Sequence, residues 1–304
     1  MANLQHVIEK SKSPATPISL ISEKHYDTWL KKQSVANQRW INESGFKPGA
    51  GAHCLLPSSD GGVARVLCIV ADALNVWSIA GLATALPAAV YYMDAKLSPA
   101  QATHLALGWA LASYEFTHYK KSKKSKPQLI ASSGTDMKYV TSMAASSFWA
   151  RDLINTPAND MHPTALAEAA VSWAQEAGGK VRVYSGEQLI KQNFPMIYAV
   201  GKAAAVPPHL VDISFTRKAA PKVTLVGKGV CFDSGGLDIK STNTMKLMKK
   251  DMGGAANVLA LARVIVETGL NVSLRVILPI VENAIAGNAM RPLDIVPTRK
   301  GITV

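Results

Sequence analysis

The sequence predicts an α/β protein, a sheet architecture with helices packed against it, and three observations support this. Beyond residue 160, short apolar runs of strand length alternate with longer runs of helical spacing, the pattern of strands joined by helices. Glycine, proline and other turn residues separate the runs. The chain has 304 residues, enough for two domains or one large one with a sizeable core, and its 48% hydrophobic and 18% charged content is ordinary for a globular protein.

No element is assigned before residue 64. Segment 64–70 (ARVLCIV) is a short apolar run and reads as a buried strand. Segment 77–86 reads as a helix that Pro87 interrupts. Segment 99–116 is rich in alanine and leucine, with Pro99 at its start, and reads as a long helix. A strand at 128–132 follows. Val140, Met143, Ala144, Phe148 and Leu153 recur at near-helical spacing and predict a helix over 137–155, long enough to bridge two domains. Residues 156–163 (TPANDMHP) are turn-rich. Helix 164–178, strand 180–185, helix 186–193, strands 211–216 and 222–229, helix 253–269 and strand 271–281 complete the alternation. The division that follows is an N-terminal α/β domain over 1–135, a linking helix and turn over 136–160, and a second domain over 161–304.

Several classes of function are set aside by composition. No apolar run reaches the ~18 residues of a membrane-spanning helix, and residues 1–20 lack the apolar core of a signal peptide. The expected location is the cytosol, with no membrane partner. Cys54, Cys68 and Cys231 are far apart and odd in number, so buried free thiols are expected rather than disulfides or a structural zinc site. Lys and Arg number 33 against 21 Asp and Glu, a formal net charge of +12. Part of that excess is the run 120–126 (KKSKKSK), which has no interleaved aromatics and reads as a solvated loop rather than a nucleic-acid patch.

The densest chemistry lies in 226-VGKGVCFDSGGLDIK-240, at the carboxyl end of a predicted strand, where open α/β sheets place their sites. Lys228, Asp233 and Lys240 fall within it, and Asp251 follows directly before the glycine-rich start of a helix. Three chemistries could use this set. Glycines, lysines and a helix N-terminus suit an anion, but no GxGxxG or GxxxxGK[ST] pattern is present and two aspartates would repel one. Asp251 could serve as a helix N-cap, with Asp233 in a turn and the lysines solvated. The third is a dinuclear metal site, since carboxylates are hard oxygen ligands able to bridge two cations. The apolar flanks Val226, Val230, Phe232 and Ile239 would draw these charges inward, where they need partners or metals.

The same run, followed by 245-MKLMKKDMGGAANVLA-260 and then VENAIAGNAMRPLDIV, resembles the leucine (cytosol) aminopeptidase family of dinuclear metallopeptidases. Segments 151-RDLINTPANDMHP-163 and 106–120 are similar to it as well, so the resemblance covers about residues 60–304. It implies a small α/β N-terminal domain joined by a helix to a mixed-sheet catalytic domain. It also implies removal of N-terminal residues, often leucine, from peptides, two divalent ions (manganese, zinc or magnesium), and a homohexamer. Matched position by position, Lys228 is the lysine ligand of one ion, Asp233 the bridging aspartate and Asp251 the aspartate of the second ion. Lys240 matches the family's catalytic lysine, which polarises the scissile carbonyl. Met248 lines the pocket for the first side chain, or is core packing.

The family's remaining acidic ligands and its arginine lie in a motif NTDAEGR, expected just past the sequence matching 299–304. No Asp-x-Glu-x-Arg pattern occurs in residues 1–304. The expectation is therefore a catalytic domain incomplete at its C-terminus and a polypeptide inactive by itself. His53, His104, His118, His162 and His209 are scattered and are expected to fill surface or core roles. A second expectation, of another class, is a DNA-binding or assembly protein of this fold without catalysis.

Overall fold

A computed structural model describes residues 6–121 and 125–304. The chain divides into two compact units, Met1–Ala145 and Ser146–Val304.

The first unit contains β1 (Val7–Ile8), β2 (Ala15–Ser22), α1 (Tyr26–Leu30), α2 (Val35–Glu43), β3 (His53–Pro57), β4 (Val63–Val70), α3 (Leu82–Ala85), β5 (Val90–Met93), α4 (Pro99–Ala112) and β6 (Gln128–Ile130). The sheet order is β1-β6-β5-β2-β4-β3, parallel throughout except where β3 runs antiparallel to β4 at the edge. Strand β4 is apolar without alternation because both its faces are covered. Val66, Cys68 and Val70 join the core with Leu105 and Trp109 of α4, whereas Leu67 and Ile69 pack with Tyr26 and Ile41 on the other side. Helix α4 starts from a capping box between Ser98 and Gln101, with Pro99 at the position where its missing N–H costs nothing.

Local chemistry explains where this unit departs from the sequence reading. Of segment 77–86 only Leu82–Ala85 is α-helix. The preceding residues form successive tight turns, such as Ala80 N to Trp77 O, in place of i−4 bonds. Helix α4 stops at Ala112, where the Ser113 hydroxyl donates to Trp109 O and competes with the ladder. Strand β2 was missed because Thr16, Pro17 and Ser19 break its apolar pattern; the buried Ser19 is satisfied by Arg65 Nη1, which also bonds Asp94. Of the lysine run, residues 122–124 lie outside the described residues. Lys126 is not simply solvated: it donates to Ser113 O at 2.9 Å and pairs with Glu115 at 2.8 Å.

Helix α5 (Met137–Asn155) has the bounds the periodicity predicts. It is followed by α6 (Pro163–Glu176), β7 (Lys180–Ser185), α7 (Gln188–Lys191), α8 (Pro195–Gly201), β8 (His209–Phe215), β9 (Lys222–Val226), β10 (Gly229–Asp233), α9 (Thr242–Met245), a 3-10 turn (Met248–Met252), α10 (Gly253–Thr268) and β11 (Ser273–Asn283). The second sheet runs β10-β11-β8-β7, and β9 pairs with the first half of β11. Strands β9 and β10 are parallel to β11, and β8 is antiparallel to both β11 and β7, so the sheet is mixed. Alternate residues Leu274, Val276, Leu278 and Ile280 of β11 meet Leu166 and Ala170 of α6 and Leu259 of α10, which forms the core. The opposite face is not uniformly helix-covered. Arg275 and Asp212 pair there through two bonds of 2.9 and 2.8 Å, and α8 packs on β11.

Two readings in this unit change. The helix expected over 186–193 is only Gln188–Lys191, and a second helix at Pro195–Gly201 follows it. The strand expected over 222–229 is two strands, broken at Gly227 and Lys228. All three cysteines are buried free thiols, as expected. Burial pushes the Cys68 thiol up to about 12, and burial with the nearby Glu282 does the same for Cys231.

Candidate metal centre

The break between β9 and β10 places Lys228. Gly227 N still bonds Ile277 O of β11 at 3.0 Å, but Lys228 O turns to accept Ala255 N, in the first turn of α10, at 2.8 Å. Main chain lies on main chain here. A Cβ on Gly227 would sit 2.7 Å from Ala255 Cα, and one on Gly254 would sit 2.9 Å from Lys228 N, so both positions require glycine. Held in this way, Lys228 reaches Asp251 with Nζ 2.9 Å from Oδ1.

Asp251 does not cap α10. It lies within the 3-10 turn, and the cap residue is Met252, with no side-chain bond to the helix. The turn is pinned from two sides. Met252 is buried in the core, and Lys249 donates to Asn155 O at the end of α5 at 2.6 Å. Met248 is half-buried at the start of the turn. The second oxygen of Asp251, Oδ2, is buried and has no hydrogen-bond partner among the described residues. A carboxylate oxygen left in that state is costly unless a cation answers it.

Asp233 ends β10. Its Oδ1 accepts Gly235 N at 2.9 Å and Asn283 Nδ2 at 2.8 Å, and its Oδ2 faces Lys240 Nζ at 3.2 Å. Burial would raise the Asp233 carboxyl, but the bonds from Gly235 and Asn283 and the Lys240 ammonium outweigh it and hold the group below the ordinary carboxylate range. Lys240 is brought back by a closed loop in which its own N donates to Ser234 O at 2.9 Å. Gly235 adopts φ +90° to allow that closure.

The structure thus forms two lysine–aspartate pairs, Lys228 with Asp251 and Lys240 with Asp233, on a strand and a turn packed against each other. The expectation that apolar flanks draw the charges inward holds only in part: Val226 and Ile239 are themselves exposed. Among the described residues, no three His, Cys, Asp or Glu side chains gather into a metal-binding group. The candidate donors are the carboxylates of Asp233 and Asp251 and the amine of Lys228. Hard carboxylate oxygens and the partnerless Asp251 Oδ2 fit a divalent cation. His162 caps α6 by accepting Ala165 N, and His209 bonds Thr164, so neither joins this set. Asn283 received no role in the sequence reading although it stands in the quoted VENAIAGN stretch. Its pairing with Asp233 exists only across adjacent strands.

Residues 148–304 match the sequence profile of the cytosol aminopeptidase family, catalytic domain, and residues 16–132 that of the M17 aminopeptidase N-terminal domain. A probable cytosol aminopeptidase of Rhodococcus jostii is 34% identical over 250 residues, covering 77% of this chain and 50% of that protein. One from Streptomyces coelicolor is 33% identical over 276 residues, covering 86% and 52%. The crystal structure of cytosol aminopeptidase from Coxiella burnetii superposes with a TM-score of 0.91 at 41% identity, covering 98% of this chain and 65% of that one. A bottromycin maturation enzyme solved in complex with Mn gives 0.81 at 28% identity, with 96% and 64% covered. The chain spans about half the length of the curated relatives it matches and about two thirds of the solved chains. These relatives do not support a DNA-binding or assembly protein without catalysis.

Proposed function

From the chain's membership of the cytosol aminopeptidase family, we propose that its second unit holds two divalent ions and serves the hydrolysis of N-terminal residues, leucine-like ones preferred, from peptides. The observation that carries this reading is the buried, partnerless Oδ2 of Asp251 beside Lys228. Lys228, Asp233 and Asp251 are the ligands, with Lys228 acting as a neutral amine, the form a nearby dication favours. When bound, such ions lower the pKa of water and polarise the carbonyl under attack. The chain's own contribution is position and charge. Asp233 presents Oδ2 while its Oδ1 stays tied to the backbone of the loop and to β11. The Lys240 ammonium, held by that same Oδ2, donates to the oxygen that becomes negative during attack. Met248 lines the pocket for the substrate's first side chain. Manganese is the first choice of ion, supported by the Mn complex of the bottromycin maturation enzyme, with zinc or magnesium next. A homohexamer in the cytoplasm follows from the family resemblance. No described helix is long and apolar enough to cross a membrane.

Two measurements test this. Manganese titration followed by electron paramagnetic resonance should show weaker binding in Asp233→Ala and Asp251→Ala; unchanged affinity in both would remove the ligand assignment. In a form that carries the family's further acidic motif, Lys240→Ala should lower leucine amide turnover by about 10²–10³ while leaving manganese affinity nearly unchanged. Loss of metal in that variant would instead make Lys240 a ligand.

A further inference from the structure

We infer that Asn283 is a positioning residue that sets which oxygen of Asp233 is presented to the metal centre, an inference that rests on the metal-binding reading above. Strand β10 lies parallel to β11 with Val230 opposite Val281, but Asp233 lies opposite Asn283. Three steps along β10 thus match two along β11. This bulge places Asp233 where Phe232 would otherwise stand, and so turns the carboxylate towards the end of β11.

At that point Asn283 makes a set of contacts with the whole loop. Its main-chain oxygen accepts both Ser234 N at 3.1 Å and Ser234 Oγ at 2.7 Å. Its side-chain Nδ2 donates to Asp233 Oδ1 at 2.8 Å. The amide orientation follows from chemistry, because the reverse would set an acceptor oxygen against a carboxylate. Its Oδ1 lies over Gly236, where an added Cβ would come within 2.8 Å of it. With Gly235 N as the second donor, Asp233 Oδ1 is fully engaged by the protein, and among the described residues Oδ2 is left with Lys240 alone. The carboxylate therefore has one anchored oxygen and one presented oxygen. Partners that orient a ligating carboxylate in this way typically change metal affinity about 10–100-fold when removed.

The test uses the fact that residue 283 keeps its main-chain oxygen in any variant, so Asn283→Ala removes the side-chain bond and leaves the Ser234 bonds in place. Manganese affinity should fall about 10–100-fold in Asn283→Ala. On an Asp233→Ala background the same substitution should change it less than about twofold, because the partner through which Asn283 acts is gone. Unchanged affinity in Asn283→Ala beside a clear loss in Asp233→Ala would overturn the inference, as would equal losses on both backgrounds. If Asp233→Ala itself binds manganese normally, or if wild-type binding is too weak to measure, the metal arm no longer tests Asn283. A crystal structure of Asn283→Ala then decides: a rotated Asp233 carboxylate supports the positioning role, and an unmoved one with its Gly235 bond intact refutes it.

Discussion

Replacing Asp251 with alanine should make the metal-free protein more stable and the manganese-loaded protein relatively less so. Asp251 Oδ2 is buried without a partner, and such an acceptor costs about 1–3 kcal/mol. Two interactions are lost against that gain. The pair with Lys228 is worth about 0–1 kcal/mol, because the lysine side chain is 61% exposed. The carboxylate also stands just before the N-terminus of α10, a position worth about 0.3–1 kcal/mol. Midpoint values leave a net gain of about 1 kcal/mol for Asp251→Ala in chelator. With manganese at a hundred times its dissociation constant the wild type gains about 2.7 kcal/mol, and a variant that has lost the site gains little. The order of stability therefore reverses on adding metal, with the wild type ahead by about 2 kcal/mol. Urea unfolding followed by the fluorescence of Trp149 and Trp173, which pack on the core of the second unit, reads both conditions. A variant less stable than wild type by about 1 kcal/mol in chelator would refute the reasoning. Oδ2 would then be satisfied by solvent, Asp251 would be structural, and the main support for the metal centre would fall.

Gly227→Ala should destabilise the protein by about 1–3 kcal/mol, since the new Cβ would lie 2.7 Å from the main-chain Cα of Ala255, which cannot swing aside. The same variant should weaken manganese binding by lifting Lys228 from Asp251; wild-type stability and affinity together would show that the close approach is not needed. A second expectation concerns pH and His209, which is 7% exposed, bonded at Nε2 to Thr164 and without a partner at Nδ1 among the described residues. Burial lowers its pKa from 6.5; the neighbouring Glu168 acts against this and His162 adds to it. The unfolded chain then binds the proton more readily, so the stabilising contribution is complete above about pH 6.5 and is lost as pH falls below it. His209→Gln should flatten that slope in urea midpoints measured from pH 7.5 to 5, and an unchanged slope would place the effect elsewhere.

The sequence by itself determined the α/β class, the bounds of α5 and β7 and the buried thiols, and it singled out Lys228, Asp233, Lys240 and Asp251 as candidates. These are written locally. Helical spacing marks α5, a six-residue run marks β7, and the glycines, lysines and aspartates of 226–251 stand in an unbroken stretch. Tertiary structure decided what those residues do to one another. The break at Gly227 and Lys228 is invisible in that run, because it is seen only in non-local contacts: Gly227 N still bonds Ile277 O of β11, whereas the carbonyl of Lys228 is held by Ala255 N of α10. Asp251 could equally have been a helix cap from sequence alone; the 3-10 turn, pinned by Lys249 and Met252, withdraws it from that role and leaves Oδ2 buried without a partner. Strand β2 and the pairing of Asp233 with Asn283 were equally hidden. Strand partners 50 residues apart, as these two are, meet only through register, and here a bulge sets that register. Local chemistry selects which side chains are capable of holding a cation, and non-local packing decides which of their oxygens remain free to do so.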